Sequence, residues 1–414
     1  MTALAGERPL ASHAPLGFAG FVALVAALMA LNAVATDIML PALPAIGDAL
    51  GAPSPNDRQA VVTAYLAGFG VGQLAMGPLS DRYGRRPVLI AGLLAYCAGG
   101  VLCALAGDFT QLLAARVAQG LGAAAPRVVV TALVRDCYSG PRMAKVTSLA
   151  MMVFMAAPVL APSIGQAVYL AAGWRTIFWT LAGYAILVLL VVLARLPETL
   201  PRAWRRPITP RGVLSGVGIA LGNRQTAGYA LAAGAFFGAL FAFIASSQQI
   251  LVGLYGLGLW FPVAFGGVAF TIAAAAFANA MLVGRLGMRR LSHGAVALFT
   301  VISLALAALA SVGQPPLWAF LGLLAGAMAL VGLVFSNFNA LAMEPMARVA
   351  GIASSVIGGS TTLIGATLGF VIGRAYDGTV LPLALGYAAC GGATIVILLV
   401  TERGRLFGPA PSAA

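Results

Sequence analysis

Roughly twelve stretches of this chain are long and almost wholly apolar, and that repetition limits what the chain can become. They fall near 17–41, 58–79, 87–107, 111–134, 145–169, 174–195, 227–252, 260–283, 291–311, 317–341, 349–374 and 380–401. Crossing the hydrocarbon core of a bilayer takes about 20 apolar residues in a helix. Lipid offers the backbone no hydrogen-bond partners, so a helix, which satisfies its own, is the expected form of each stretch. Of 414 residues, 61% are hydrophobic and only 8% charged, too few polar groups to cover a soluble surface. The sequence therefore predicts an all-α membrane protein with twelve transmembrane helices. Ala33-Val34-Ala35 resembles a leader-cleavage pattern, but the apolar run around it is long enough to span and is read as the first helix.

A net charge of +13 raises the question of a nucleic-acid partner, and the placement of the basic residues argues against one. Alternate connections collect Arg82, Arg85, Arg86, Arg135, Arg142, Lys145, Arg195, Arg202, Arg205, Arg206, Arg211, Arg224, Arg285, Arg289, Arg290, Arg348, Arg403 and Arg405. The other side has only Arg58, Arg175 and Arg374. Short basic loops stay in the cytoplasm, so the charge is largely a topology signal and both termini are expected there. The connection 196–226 is the longest and is rich in Pro and Arg. It divides the chain into a first six-helix bundle (1–196), a cytoplasmic central loop (197–226) and a second bundle with a short cytoplasmic tail (227–414). Such paired halves are common in secondary transporters.

One connection is unlike the rest. Residues 77–89 read GPLSDRYGRRPVL, with Asp81, Arg82, Arg85 and Arg86 crowded between two apolar stretches. At an offset of 203 residues, AMLVGRLGMRR (280–290) repeats part of it: Leu79 meets Leu282, Arg82 meets Arg285, Gly84 meets Gly287 and Arg86 meets Arg289, while Asp81 becomes Gly284. A partial copy in the equivalent loop supports duplication. The pattern G-x-L-S-D-R-x-G-R-R-x-x-L between the second and third of twelve helices resembles the signature of the major facilitator superfamily, matched here by Gly77, Leu79, Asp81, Arg82, Gly84, Arg85, Arg86 and Leu89. TDIMLPALPAI (36–46), RVAQGLGAAAPRVVVTALVRD (116–136) and APVLAPSIGQ (157–166) look like the drug:proton antiporter branch, of the bicyclomycin and chloramphenicol resistance (Bcr/CflA) type. In the last of these Pro162 and Gly165 fit the antiporter pattern, whereas Ala161 and Gln166 stand where it has glycines.

The resemblance implies two pseudo-symmetric six-helix bundles and export of small amphipathic organic compounds in exchange for protons, by alternating access. It also implies a bacterial inner-membrane location. Gly77, Asp81, Arg82, Gly84, Arg85 and Arg86 would then form a conformational latch that holds the outward-facing state closed on the cytoplasmic side. Asp81 would meet the positive end of a neighbouring helix or an arginine across the bundle. Pro158, Pro162 and Gly165 form either a hinge or close-packing seam, or ordinary proline in a spanning helix.

Ionisable residues inside spans are costly and usually functional. Asp37 reads as the proton carrier, paired with Arg116 at similar depth on an antiparallel helix, or else as a solvated residue at a helix end. The remaining acids, Glu7 among them, fall at loops or helix ends. Arg127 follows Arg116 by eleven residues on nearly the same helix face, and either lines a cavity or snorkels to the surface. Asn32, Tyr65, Gln119, Ser247, Gln248, Asn337 and Asn339 are candidates for a substrate cavity, with Phe69, Phe236, Phe241 and Phe243 as aromatic neighbours. No ATP-binding, metalloprotease, C-x-x-C or G-x-S-x-G pattern occurs, and His13 and His293 make no evident site. No enzyme, cofactor or metal is expected. The partners expected are a small-molecule substrate, protons and the lipid bilayer, with the chain acting as a monomer. The competing reading is a proton-coupled importer or exporter of one metabolite.

Overall fold

The computed structural model describes residues 16–205 and 209–407. Glu7, His13 and Arg206 lie outside the described residues, as does the side chain of Arg348. Fourteen α-helices follow one another with no strand among the described residues. The first half holds α1 (Phe18–Asp37), a short α2 (Leu43–Leu50), α3 (Ala60–Tyr83), α4 (Arg85–Leu105), α5 (Phe109–Cys137), α6 (Gly140–Ala172) and α7 (Trp174–Arg195). After α8 (Pro210–Gly222) come α9 (Arg224–Gln248), α10 (Phe261–Leu286), α11 (Met288–Val312), α12 (Leu317–Met343), α13 (Ala350–Arg374) and α14 (Leu381–Thr401). Twelve of these helices are long and apolar enough to span, and they form two six-helix bundles.

The central connection is more structured than its Pro and Arg content suggests. Thr209 caps α8 by accepting a hydrogen bond from Gly212 N, and Pro210 occupies the first turn, where a missing N–H costs nothing. The helix lies on α13, with Gly216 against Ile352. At the other end of the first span, Pro41 and Pro44 each sit at a helix start, so the chain turns through Leu40–Ala42 before α2.

Within each bundle the helices approach where side chains vanish. Gly68 lies against the carbonyl of Val117, and Gly120 against that of Tyr65, which brings α3 and α5 into backbone contact. Gly365 and Gly369 make room for Phe241 between α9 and α13. Small residues at such seams are how spanning helices gain dispersion contacts that lipid would otherwise match. The outer belt is apolar, with Leu105, Leu187, Leu190, Phe270, Phe277, Val301 and Val400 all exposed.

The two bundles meet along α3 and α13 and along α6 and α10. The α3–α13 seam runs the full helix length. Gly70 packs on Leu363, Gln73 Nε2 donates to Thr362 Oγ1 at 3.0 Å, and Gly77 faces Ser355. For orientation, the face carrying residues 82–86, 285–290 and 402–405 is the basic face, and the one carrying 51–59, 255–259 and 375–379 is the opposite face.

Candidate functional site

The buried polar centre of the first half is built around Arg116, which is completely buried. Its Nε donates to Val61 O (3.1 Å), one terminal nitrogen to Gln119 Oε1 (2.6 Å) and the other to Ala35 O (3.1 Å). The guanidinium also lies over the Tyr65 ring, 4.4 Å from its centroid. Ala35 belongs to the last turn of α1, whose carbonyls lack partners in their own helix and carry the negative end of its dipole. A cation there satisfies both. Tyr65 Oη donates to Asn32 Oδ1 at 3.0 Å, so α1, α3 and α5 are joined by one network.

Asp37 is buried beside this network but does not join it. Its Oδ1 has no hydrogen-bond partner, and no ion pair with Arg116 forms. The pairing expected from depth stops two residues short, at Ala35. The reason is chemical: carbonyls of α1 and α3 and the Gln119 amide already occupy the guanidinium. Directly after Asp37, the carbonyl of Ile38 packs against Gly165 of α6, so close that no side chain could replace the glycine hydrogen. The antiporter-motif glycine and the buried acid are therefore neighbours. α6 runs through Pro158 and Pro162 without interruption.

The charged turn on the basic face is a compact ion cluster. Arg85, the first residue of α4, donates to Asp81 Oδ1 (2.6 Å), Ser80 Oγ (2.8 Å) and Asp136 Oδ2 (3.2 Å). Glu198 accepts from the backbone N–H of Arg85 (2.9 Å) and Arg86 (3.3 Å), the free donors at the start of α4. Arg86 reaches Leu193 O at 2.9 Å, near the end of α7. Gly84 has φ 106°, and a side chain there would strike Glu198. Arg82 is exposed, over the Tyr83 ring. Asp81 also reaches the other half: a methyl group on Gly351, in the first turn of α13, would lie 3.3 Å from its Oδ2. That is the positive end of a helix.

The second half has its own cluster at the matching place. Gly287 repeats the turn with φ 81°. Arg289 donates to Glu402 Oε1 (2.9 Å) and lies 3.8 Å from Glu344. Glu402 Oε1 also accepts from Tyr229 Oη (2.5 Å), which is 3.0 Å from His293 Nε2. Phe407 N donates to His293 Nδ1 (3.3 Å).

On the opposite face the two halves are clasped by amides. Gln59 donates to Gly373 O (2.9 Å) and to the Gln249 side chain. Gln249 donates to Asn56 Oδ1 (2.6 Å), and Asn56 to Arg374 O (3.1 Å) and Tyr376 O (2.8 Å). Gln166, at a position where the antiporter pattern has glycine, donates across the halves to Leu259 O (3.2 Å). At the basic face no hydrogen bond or ion pair joins the halves among the described residues.

Residues 25–370 match the family model described as Major Facilitator Superfamily. The chain belongs to the major facilitator superfamily. It is similar to an uncharacterized MFS-type transporter, YdgK, of Bacillus subtilis, 32% identical over 364 residues that cover 86% of this chain and 89% of that one. It is also similar to the bicyclomycin resistance protein homolog of Haemophilus influenzae, 30% identical over 384 residues covering 89% and 93%. The multidrug resistance protein MdtL of Escherichia coli is 39% identical over 185 residues, 45% of this chain and 47% of its own. Among solved structures, a D-xylose-proton symporter superposes with a TM-score of 0.73 at 14% identity, covering 92% of this chain and 96% of that one. The human organic anion transporter MFSD10 does so with 0.67 at 18%, covering 94% and 100%. At such identities these two establish the fold alone.

In this major facilitator the remaining candidates fall into distinct settings. Tyr65 and Gln119 serve the Arg116 network. Asn337 is buried and donates to Asn279 Oδ1 (2.7 Å), and Ser247 bonds back to Ile244 O (2.9 Å). Asn32, Arg127 and Gln248 are half-buried, and Asn339 is exposed. The aromatic set packs inside the bundles. Phe236 meets Phe299 edge-on, Phe243 stacks on Phe265 and Phe69 on Tyr65, while Phe241 fills the α9–α13 seam. The sequence reading left the clasp residues Asn56 and Gln249, and the acids Asp136, Glu198 and Glu402, without roles. The acids had one usable signal: each stands at a helix end on a face otherwise crowded with arginine.

Proposed function

We propose that this protein is a proton-coupled secondary transporter that exports small amphipathic organic compounds by alternating access, with Asp37 as the proton carrier. The basic face lies in the cytoplasm, both termini with it, in a bacterial inner membrane. A monomer suffices, because the two halves supply both walls of the pathway. The printed names of two relatives, a bicyclomycin resistance protein homolog and a multidrug resistance protein, support export of organic compounds.

The observation that carries the reading is Asp37, a buried acid whose Oδ1 meets no donor, at the negative end of α1. A charge in that position is unpaired and poorly solvated, and a proton removes the penalty. The turn Leu40–Ala42, just beyond it, lies against α9 of the other half. Opening the opposite face would part that contact and bring Asp37 to water. The amide clasp suits a gate. Its bonds join neutral groups, each worth about 0.5–1.5 kcal/mol net, so it closes firmly yet opens without stranding a charge. The Arg374–Asp57 pair beside it, 3.5 Å apart with Arg374 mostly exposed, adds little.

The test is substrate-induced proton movement in energised inverted vesicles, followed with a pH-gradient dye while amphipathic compounds are added. Wild type is expected to discharge the gradient and Asp37→Asn to leave it standing at equal membrane insertion. Discharge by both would move the proton site elsewhere, and no discharge by either would favour a transporter of one metabolite.

A further inference from the structure

Two arginines lie deep in one spanning helix of the first half, α5, and they differ in one respect. Arg116 has protein partners for all three guanidinium nitrogens. Arg127, on the same helix, has no hydrogen bond or ion pair among the described residues, although it is half-buried. Eleven residues of helix bring Arg127 back to within about 20° of the Arg116 direction and set it about 16 Å nearer the basic face. The seams of α5 are taken at that level. Ala124 meets Gly72 of α3, while Gly122 and Ala125 meet Gly92 and Tyr96 of α4. Arg127 belongs to neither seam. Ten residues, about 15 Å of helix, separate it from the end of α5 at Cys137.

No acid among the described residues is placed to neutralise it. Apart from Asp37, every described Asp and Glu stands at a helix end or in a connection: Asp48, Asp57, Asp81, Asp108, Asp136, Glu198, Glu344, Asp377 and Glu402. A guanidinium left at membrane depth without a counter-charge is costly and marks a functional site. Its planar fork of donors matches the oxygens of a carboxylate, sulfonate or phosphonate.

We propose that Arg127 recognises the substrate, and that the compounds carried bear an acidic group on an apolar body. The inference rests on the transporter reading above and names its substrate class. An organic anion bound at Arg127 supplies the charge that the protein omits. The apolar body lies against the surrounding helices, and release frees the arginine for the next molecule. Exchange of such an anion for a proton moves charge in a direction that an inside-negative potential favours.

The test uses one scaffold in three charge states: 2-naphthylacetate, its neutral amide and 2-naphthylethylamine. Saturable binding to the purified full chain in detergent is measured by tryptophan quenching or calorimetry, for wild type, Arg127→Gln and Arg127→Lys. The same compounds are then added to energised vesicles. Wild type is expected to bind the acid at least tenfold more tightly than the amide or the amine. Arg127→Gln is expected to remove that preference while the amide binds as before, and Arg127→Lys to restore part of it. Equal or tighter binding of the amide or amine by wild type overturns the proposal, as does a preference for the acid that survives Arg127→Gln. Absence of saturable binding by the acid overturns it too. Binding of the acid through Arg127 without gradient discharge supports this proposal and sinks proton coupling instead.

Discussion

The two charged turns stand at matching places in the two halves, and they are wired differently. In the first, Arg85 holds Asp81 and Asp136, and Asp81 faces the first turn of α13 in the other half. In the second, Gly284 replaces Asp81, and Arg289 pairs with Glu402 and Glu344, both in its own half. The two arginine side chains are equally buried, each 7% exposed. Yet at the 203-residue offset Arg289 corresponds to Arg86 and not to Arg85. One duplicated turn thus faces the other half without bonding to it, the other is stapled within its own half, and Asp81 is the acid that faces across.

The sharpest way to break the comparison is to remove each arginine. Arg85→Ala takes the guanidinium from Asp136, whose side chain is only 7% exposed. Asp136 keeps other partners, Thr199 Oγ1 among them at 3.3 Å, so the cost is expected at the low end of the roughly 3–5 kcal/mol incurred when one partner of a buried pair is removed. Arg289→Ala takes it from Glu402 and Glu344, which are 13% and 47% exposed and closer to water. The cost there is expected nearer 1–3 kcal/mol. Thermal unfolding of the two variants in detergent checks the order, and a larger loss for Arg289→Ala would mean that the second turn is the more critical one.

A finer probe separates the two turns. Asp81→Asn keeps the side-chain shape but removes the charge facing α13. Since Asp81 is 39% exposed, the stability change should stay within about 1 kcal/mol. If Asp81 acts as the expected latch, biasing the equilibrium between states and not the fold of either half, transport should fall on the order of tenfold. Glu402→Gln should do the reverse, lowering the unfolding temperature while leaving transport close to wild type. If both substitutions slow transport equally with insertion intact, the distinction between the two turns fails.

The sequence disclosed the spans, because lipid imposes hydropathy and length on every one of them. The largest shift is at α6, which starts at Gly140, five residues before the apolar stretch. It also disclosed the arginine of the polar centre, since Arg116 is a charge inside an apolar run. What it could not disclose was the partner. Val61 O and Ala35 O are backbone atoms, and which carbonyls face α5 depends on the rotation of α1 and α3 about their own axes. The amide clasp was hidden for a related reason. Gln59 and Gln249 lie 190 residues apart at helix ends, where a lone amide looks like ordinary interfacial polarity. The helix α8 was legible in principle, from Thr209 followed by Pro210, but the arginines around it masked the signal.

The smallest effect tests the staple through pH. Burial pushes the Glu402 carboxyl up, but hydrogen bonds from Tyr229 and Arg289, together with the charge of Arg289, more than offset this and hold it below the ordinary glutamate range. A carboxyl depressed in the folded state stabilises the fold fully above its unfolded value, and that stabilisation is lost as the pH falls through the folded value. The difference in unfolding temperature between wild type and Glu402→Gln should therefore be constant from neutral pH down to about 5 and shrink below about 4.3. A difference that instead grew with acid, or disappeared already near neutrality, would place the titrating group elsewhere. Because Glu402 answers to partners in its own half alone, transport assayed at the same pH values should not track the change.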